Sequence, residues 1–114
     1  MNGATNSKGN PLTLHDIPIN MPGNTGTIKM ERYGKQVIIS GRSLGSTTAG
    51  DYPCTVPKMP AGMSAHEPIM SADGQQCVGV AYINSNTTNL VIRMVVTYSA
   101  GWFTIPYITN EGGD

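Results

Sequence analysis

TNLVIRMVVTY, residues 88–98, decides the class of fold. Leu90, Ile92, Met94, Val96 and Tyr98 fall on one side of an extended chain, and Asn89, Val91, Arg93, Val95 and Thr97 on the other. A period of two is the signature of a strand with one face in a core. The first face is the core side. The second is mixed, and apolar enough to lie partly against a neighbouring chain. CVGVAYIN, residues 77–84, comes before it and is rich in β-formers. The two runs are joined by NSNTTN (84–89), whose Asn and Ser are turn residues. The pattern predicts a hairpin. YSAG (98–101) then turns the chain into WFTIPYIT (102–109), where Pro106 marks an edge or an irregular finish. Residues 77–109 are thus expected to form a three-stranded meander.

Outward from this unit, TIKMERY and KQVIISGR flank Gly34, which supplies the positive φ of a tight turn and predicts a second hairpin over 27–42. DYPCTVP (51–57) reads as a short edge strand. EPIMS (67–71) reads as another, followed by a turn at Asp73-Gly74. LTLHDIPI (12–19) adds one more, leading into the turn MPGNTG. MPAGMSAHEPIM, residues 59–70, has two prolines and suits neither a helix interior nor a central strand. It is expected to be a crossover that carries the chain from one sheet to the other. No stretch keeps a 3.6-residue period over a helical length. The expected fold is all-β, an antiparallel β-sandwich or jelly roll of about seven to eight strands. Residues 1–26 are assigned to an N-terminal arm, 27–109 to the domain and 110–114 to a C-terminal tail.

Composition narrows the function. A chain of 114 residues suits one domain with a modest core. Charged residues are 12% of it, about half the usual ~25%, and the net charge is zero. With no basic excess to hold a phosphate backbone, nucleic acid is not an expected partner. No apolar run reaches the ~20 residues of a membrane helix, so membrane insertion is not expected either. The polar start, MNGATNSKGN, lacks the apolar region of a secretory signal. The chain is therefore expected to be made in the cytosol and to stay there, to leave by another route, or to be part of something larger. Fourteen glycines and eight prolines suit many short strands joined by turns.

Catalytic signatures are sparse. GxSxG, HExxH and a glycine-rich phosphate loop with its lysine are all missing from the sequence. Cys54 and Cys77 make no CxxC, and with two distant histidines they do not give the spacing of a zinc site. They are read as free, half-buried thiols in preference to one disulfide. No metal or cofactor is expected. His15-Asp16 and His66-Glu67 are neighbours whose side chains point to opposite faces of an extended segment. The expectation is a protein that is not an enzyme. The catalytic alternative is a pair of carboxylates meeting across the fold to cleave a glycoside.

Four residues are candidates for ligand contact. Trp102, alone of its kind, follows a turn and suits either a sugar-stacking platform or the anchor of a core or subunit interface. Asp51 and Tyr52 follow GSTTAG and suit a saccharide-contacting loop or a plain turn. His66 suits a polar ligand contact or a solvated bend. Asn86-Thr87-Thr88 fits a glycosylation sequon but reads as the hairpin tip. The methionines read as gap-filling core and interface residues.

The order of these segments carries a resemblance. The strand pair TIKMERYGKQVIISGR is followed by Pro-Ala-Gly-Met-Ser-Ala-His-Glu-Pro (60–68), then CVGVAYINSNTTNLVIRM, then the aromatic strand GWFTIPYI. Over roughly residues 27–109 this resembles the C-terminal head domains of phage tail fibres and baseplate receptor-binding proteins. In those heads a leucine-proline-x-glycine-x-x-proline stretch precedes an apolar strand. Met59-Pro60-Ala61-Gly62 and Pro68 match it, with a longer interval before the second proline. Coiled-coil heptads and a glycine-repeat stalk are missing here. The resemblance implies a β-sandwich head at the tail or baseplate tip of a virion. It implies a homotrimer that touches other virion proteins and binds host cell-wall saccharide. It supplies no matched set of binding residues. A structural virion subunit, decorating a head or capping a fibre, is the alternative.

Overall fold

The computed structural model describes residues 13–111. Eight strands follow one another: β1 (Thr13–Asp16), β2 (Thr27–Tyr33), β3 (Gln36–Ser46), β4 (Gly50–Thr55), β5 (Ala65–Met70), β6 (Cys77–Ile83), β7 (Asn89–Met94) and β8 (Tyr98–Ile108). All pairings are antiparallel, in the order β1-β2-β3-β8-β5-β6-β7-β4. The fold is all-β, as the alternation predicted. The ladder makes one curled sheet of eight strands. Among the described residues no helix is long and apolar enough to cross a membrane.

The curl follows from burial. Val37, Ile39 and Ile105 from one half of the sheet, and Ile69, Ile83, Leu90 and Ile92 from the other, have no exposed surface. No described residue is helical, so the opposite half covers the inner face, with Ile17, Met21, Val56 and Met59 from the connections. Both halves contribute to one core cluster. Each such side chain contributes about 1.5–3 kcal/mol when fully buried. The two edge strands also approach each other: Pro18–Asn20, just after β1, and Pro53–Thr55 of β4 line one cleft.

Two leaves share this core. The first is β1-β2-β3-β8 and the second β5-β6-β7-β4. A single residue pair, Met70 with Trp102, joins them in the ladder. Beyond it β8 keeps only β3 as a neighbour, and β5 keeps only β6. The sheet therefore forks at Trp102. Pro106 lies on the open side of β8 and Pro68 on that of β5, while Pro53 lies on the edge strand β4. Where these prolines sit, the edge has no N–H to offer a foreign strand.

The β2–β3 hairpin agrees with the sequence. Its two-residue loop is Gly34-Lys35, with φ of 60° at Gly34. A positive φ at the first loop position alone is the form that glycine favours in tight hairpins. The β6–β7 hairpin and the Asp73-Gly74 turn also agree; Asp73 accepts bonds from Ser71 Oγ (2.6 Å) and the Gln75 amide (3.0 Å). The meander does not. β7 ends at Met94, and its second edge is taken by β4. Val96, expected in the core, is exposed, and Tyr98 opens β8 instead of closing β7. YSAG is strand, not turn. The eleven residues of β8 bury Phe103, Ile105 and Tyr107 on alternate positions, and they find a partner of matching length in β3.

Residues 56–64 carry the chain from β4, at one edge, to β5 in the middle of the sheet. They do so around the β6–β7 turn. The Val56 and Met59 amides donate to the Thr88 and Thr87 carbonyls (2.9 and 2.8 Å). The Asn86 amide donates to the Pro60 carbonyl, and the Gly62 amide to Ser85 Oγ (2.7 Å). Pro60, with no amide to place, serves as an acceptor on this path. The same connection is held by the first leaf: Tyr107 Oη donates to the Pro57 carbonyl (2.8 Å) and Thr109 Oγ1 to the Lys58 carbonyl (2.6 Å). Glu111 accepts from the Lys58 amide, and its carbonyl accepts from Arg32 Nη2. Residues 59–70 are thus crossover in their first half and strand from Ala65 onward.

The sheet begins before residue 27. β1 lies in the segment assigned to the arm, and Ile17 and Met21 enter the core. Glu111 belongs to the segment assigned to the tail and is docked as described. Residues 1–12 and 112–114 of those two segments lie outside the described residues.

Candidate functional site

The four candidate residues do not meet at one point. The alternation of each strand and the fork between the leaves sort them into three places.

Tyr52 is on the inner side of β4 with Cys54, not on a loop. It packs against the core, and its hydroxyl donates to the Thr48 carbonyl (2.5 Å) near Ser46 Oγ (3.2 Å). Those contacts fix the β3–β4 turn and use the polar end that a sugar would need.

Asp51 and His66 lie at opposite ends of a row across the outer face of the second leaf. The register sets His66 opposite Tyr82, and Asp51 opposite Arg93. The His66 and Tyr82 rings stack, with centroids 5.5 Å apart and planes 12° from parallel. The Arg93 guanidinium lies 5.2 Å from the Tyr82 ring centroid. It also forks onto Asp51, with Nε–Oδ1 at 2.7 Å and Nη2–Oδ2 at 3.0 Å. That bidentate bond holds the Asp51 carboxyl below its ordinary range and raises Arg93 further. Side chains from β5, β6, β7 and β4 are therefore engaged with one another.

Trp102 stands at the fork. Because β8 and β5 part there, a groove of about 410 Å³ opens between the leaves. Trp102 and Thr104 of β8, Ser40 and Arg42 of β3, and Glu67 and Pro68 of β5 line it. The indole is 41% exposed although its neighbour Phe103 is buried. The Arg42 guanidinium lies 5.6 Å from the indole centroid, within cation–π range. Gly41 allows this arrangement: a Cβ there would run into the Phe103 ring beneath. Neither Arg42 nor Glu67 enters an ion pair among the described residues. A partly exposed indole, the guanidinium over it and a carboxylate acceptor line one groove, and an aromatic ring, a donor and an acceptor are the groups that hold a polyhydroxylated ring.

Sequence reasoning found Trp102 and missed Arg42, Ser40, Thr104 and the part played by Glu67. The alternation Ile38, Ser40, Arg42 opposite buried Val37, Ile39, Gly41 does mark an outward row. What carries no local signal is that β3, β8 and β5 are neighbours, since they are far apart in the chain. His66 and Glu67 do face different ways, as adjacent residues in a strand must: one stacks on Tyr82, the other lines the groove.

The thiols are separate. Cys54 is buried and Cys77 exposed, both free. Burial pushes the Cys54 thiol up to about 12. Among the described residues no three His, Cys, Asp or Glu side chains converge as a metal would require. Compared with protein-family models, curated proteins and solved structures, the chain shows no match.

Proposed function

We propose that this chain is a non-catalytic saccharide-binding domain of the phage receptor-binding kind, attaching a virion to carbohydrate on the host cell wall. The observation that carries the reading is the exposed Trp102 in a groove with Arg42 and Glu67. An indole face covers the C–H side of a sugar ring, while the guanidinium donates and the carboxylate accepts hydrogen bonds at its hydroxyls. A single shallow groove binds weakly. A homotrimer on a tail or baseplate tip multiplies it by avidity.

Labelled protein applied to a panel of bacterial cells and their purified wall polysaccharides tests this. The reading expects binding to at least one wall polysaccharide, lost in Trp102→Ala and kept in Tyr52→Phe. It fails if no cell or polymer is bound, or if Trp102→Ala binds as well as the native chain. Light scattering should give a mass near three times 12.1 kDa.

The second reading is a structural virion subunit that binds other virion proteins and no sugar. Val95 and Val96, adjacent and exposed between β7 and β8, favour it. Such a subunit binds particles and ignores cells.

A further inference from the structure

The Trp102 groove does not stop at β3. A second depression of about 290 Å³ lies over β1 and β2, lined by Leu14, Lys29 and Glu31 and sharing Ser40 and Arg42 with the first. The two meet at Arg42, so a path crosses β1, β2, β3 and β8 on the outer face of the first leaf and ends at Glu67 of β5, across the fork. The three strand spacings from β1 to β8 already make it ~14 Å long before the fork, more than one ring needs.

The charges along the path select the ligand. Lys29 is paired with Asp16. Among the described residues Arg42 has no carboxylate partner within ion-pair distance, and Glu31 and Glu67, likewise in no ion pair there, line the path on either side of it. A polyanion would bring charges against both glutamates, and among the described residues only Lys29 and Arg42 line the path as cations. An added peptide strand would meet Pro68 and Pro106 at the fork. A neutral polyol meets acceptors, a central donor and an aromatic face in turn.

Resting on the saccharide-binding reading above, we infer that the ligand is a neutral, linear oligosaccharide lying across the strands. One subsite is at Trp102 and Glu67, the second at Glu31, and Arg42 lies between them.

Calorimetric titration with neutral linear glucose, galactose and N-acetylglucosamine oligomers, from mono- to hexasaccharide, tests it, with polyglycerol phosphate as the polyanion. The native chain should bind tetrasaccharides about tenfold or more tighter than disaccharides in at least one series, with little dependence on salt. Glu31→Ala should weaken the long oligomers about tenfold and leave the disaccharide unchanged, which also shows the variant folded. Trp102→Ala should weaken both. An affinity that levels off at the disaccharide overturns the second subsite. So does a Glu31→Ala variant that binds every length normally. Tighter binding of polyglycerol phosphate overturns the neutral ligand. If no oligomer binds while a wall polymer is held through Trp102, this inference falls and the saccharide-binding reading stands. If nothing binds, both fall.

Discussion

The outer faces of the two leaves have similar ingredients and use them differently. On the second leaf the arginine, the acid and the rings hold one another: Asp51 grips Arg93, Arg93 lies by Tyr82, and Tyr82 stacks on His66. On the first leaf Arg42 leans on Trp102, and Glu31, with Glu67 of β5 across the fork, stands apart from it. A row whose donors and acceptors are already matched stiffens the sheet and offers little to a ligand. A row left unmatched, beside a groove and an exposed indole, is where a ligand gains most. The difference comes from topology. β5, β6, β7 and β4 pair closely enough for side chains to reach across, whereas the fork at Met70 and Trp102 holds β5 away from β8.

The comparison first supposes that the two faces rest on one core. Ile105→Ala in the first leaf and Ile92→Ala in the second should each cost about 2–5 kcal/mol, in a single denaturation transition read by circular dichroism. Two separate transitions would make the leaves independent and dissolve the comparison. Next is the join at the crossover. Tyr107→Phe leaves the Pro57 carbonyl without its buried donor and should lower stability by about 1–2 kcal/mol, seen as a lower urea midpoint with an unchanged slope.

The matched row makes a smaller, pH-dependent prediction. The folded Asp51 carboxyl is held below its unfolded value by Arg93. Its contribution is therefore complete above the unfolded value of about 3.9 and is lost as pH falls through the folded one. Because the pair is exposed, the effect is small. Asp51→Asn should reduce stability slightly at neutral pH and converge with the native chain in acid. A constant difference at every pH would show that the ion pair is not the cause. Smallest of all, a thiol reagent should label Cys77 quickly and Cys54 only after denaturation, because Cys54 is buried and its thiolate disfavoured. Two fast thiols would mean that the β4 edge opens readily.

Much of this was legible in the residues. The alternation in 88–94, the glycine of the β2–β3 turn, and prolines that belong at open edges follow from period, φ and a missing amide. All are local properties. The meander was misread because adjacency along the chain does not guarantee pairing: β7 already had β4, and the apolar length of β8 matched β3. Tyr52 was misplaced because a single aromatic after a loop does not show its side; its neighbour Cys54, two residues on, turns it inward. Trp102 was legible as an odd aromatic on a strand. Its companions were not, because Arg42 and Glu67 reach it only through the strand order β3-β8-β5.

The most direct measurement is titration of one bound wall polysaccharide, or its best oligomer, against the native chain, Trp102→Ala, Arg42→Ala and Arg93→Ala. The account predicts that Trp102→Ala weakens binding about thirtyfold, that Arg42→Ala weakens it about tenfold, and that Arg93→Ala leaves it unchanged. Loss in Arg93→Ala with none in Arg42→Ala would place the ligand on the other leaf and contradict the account.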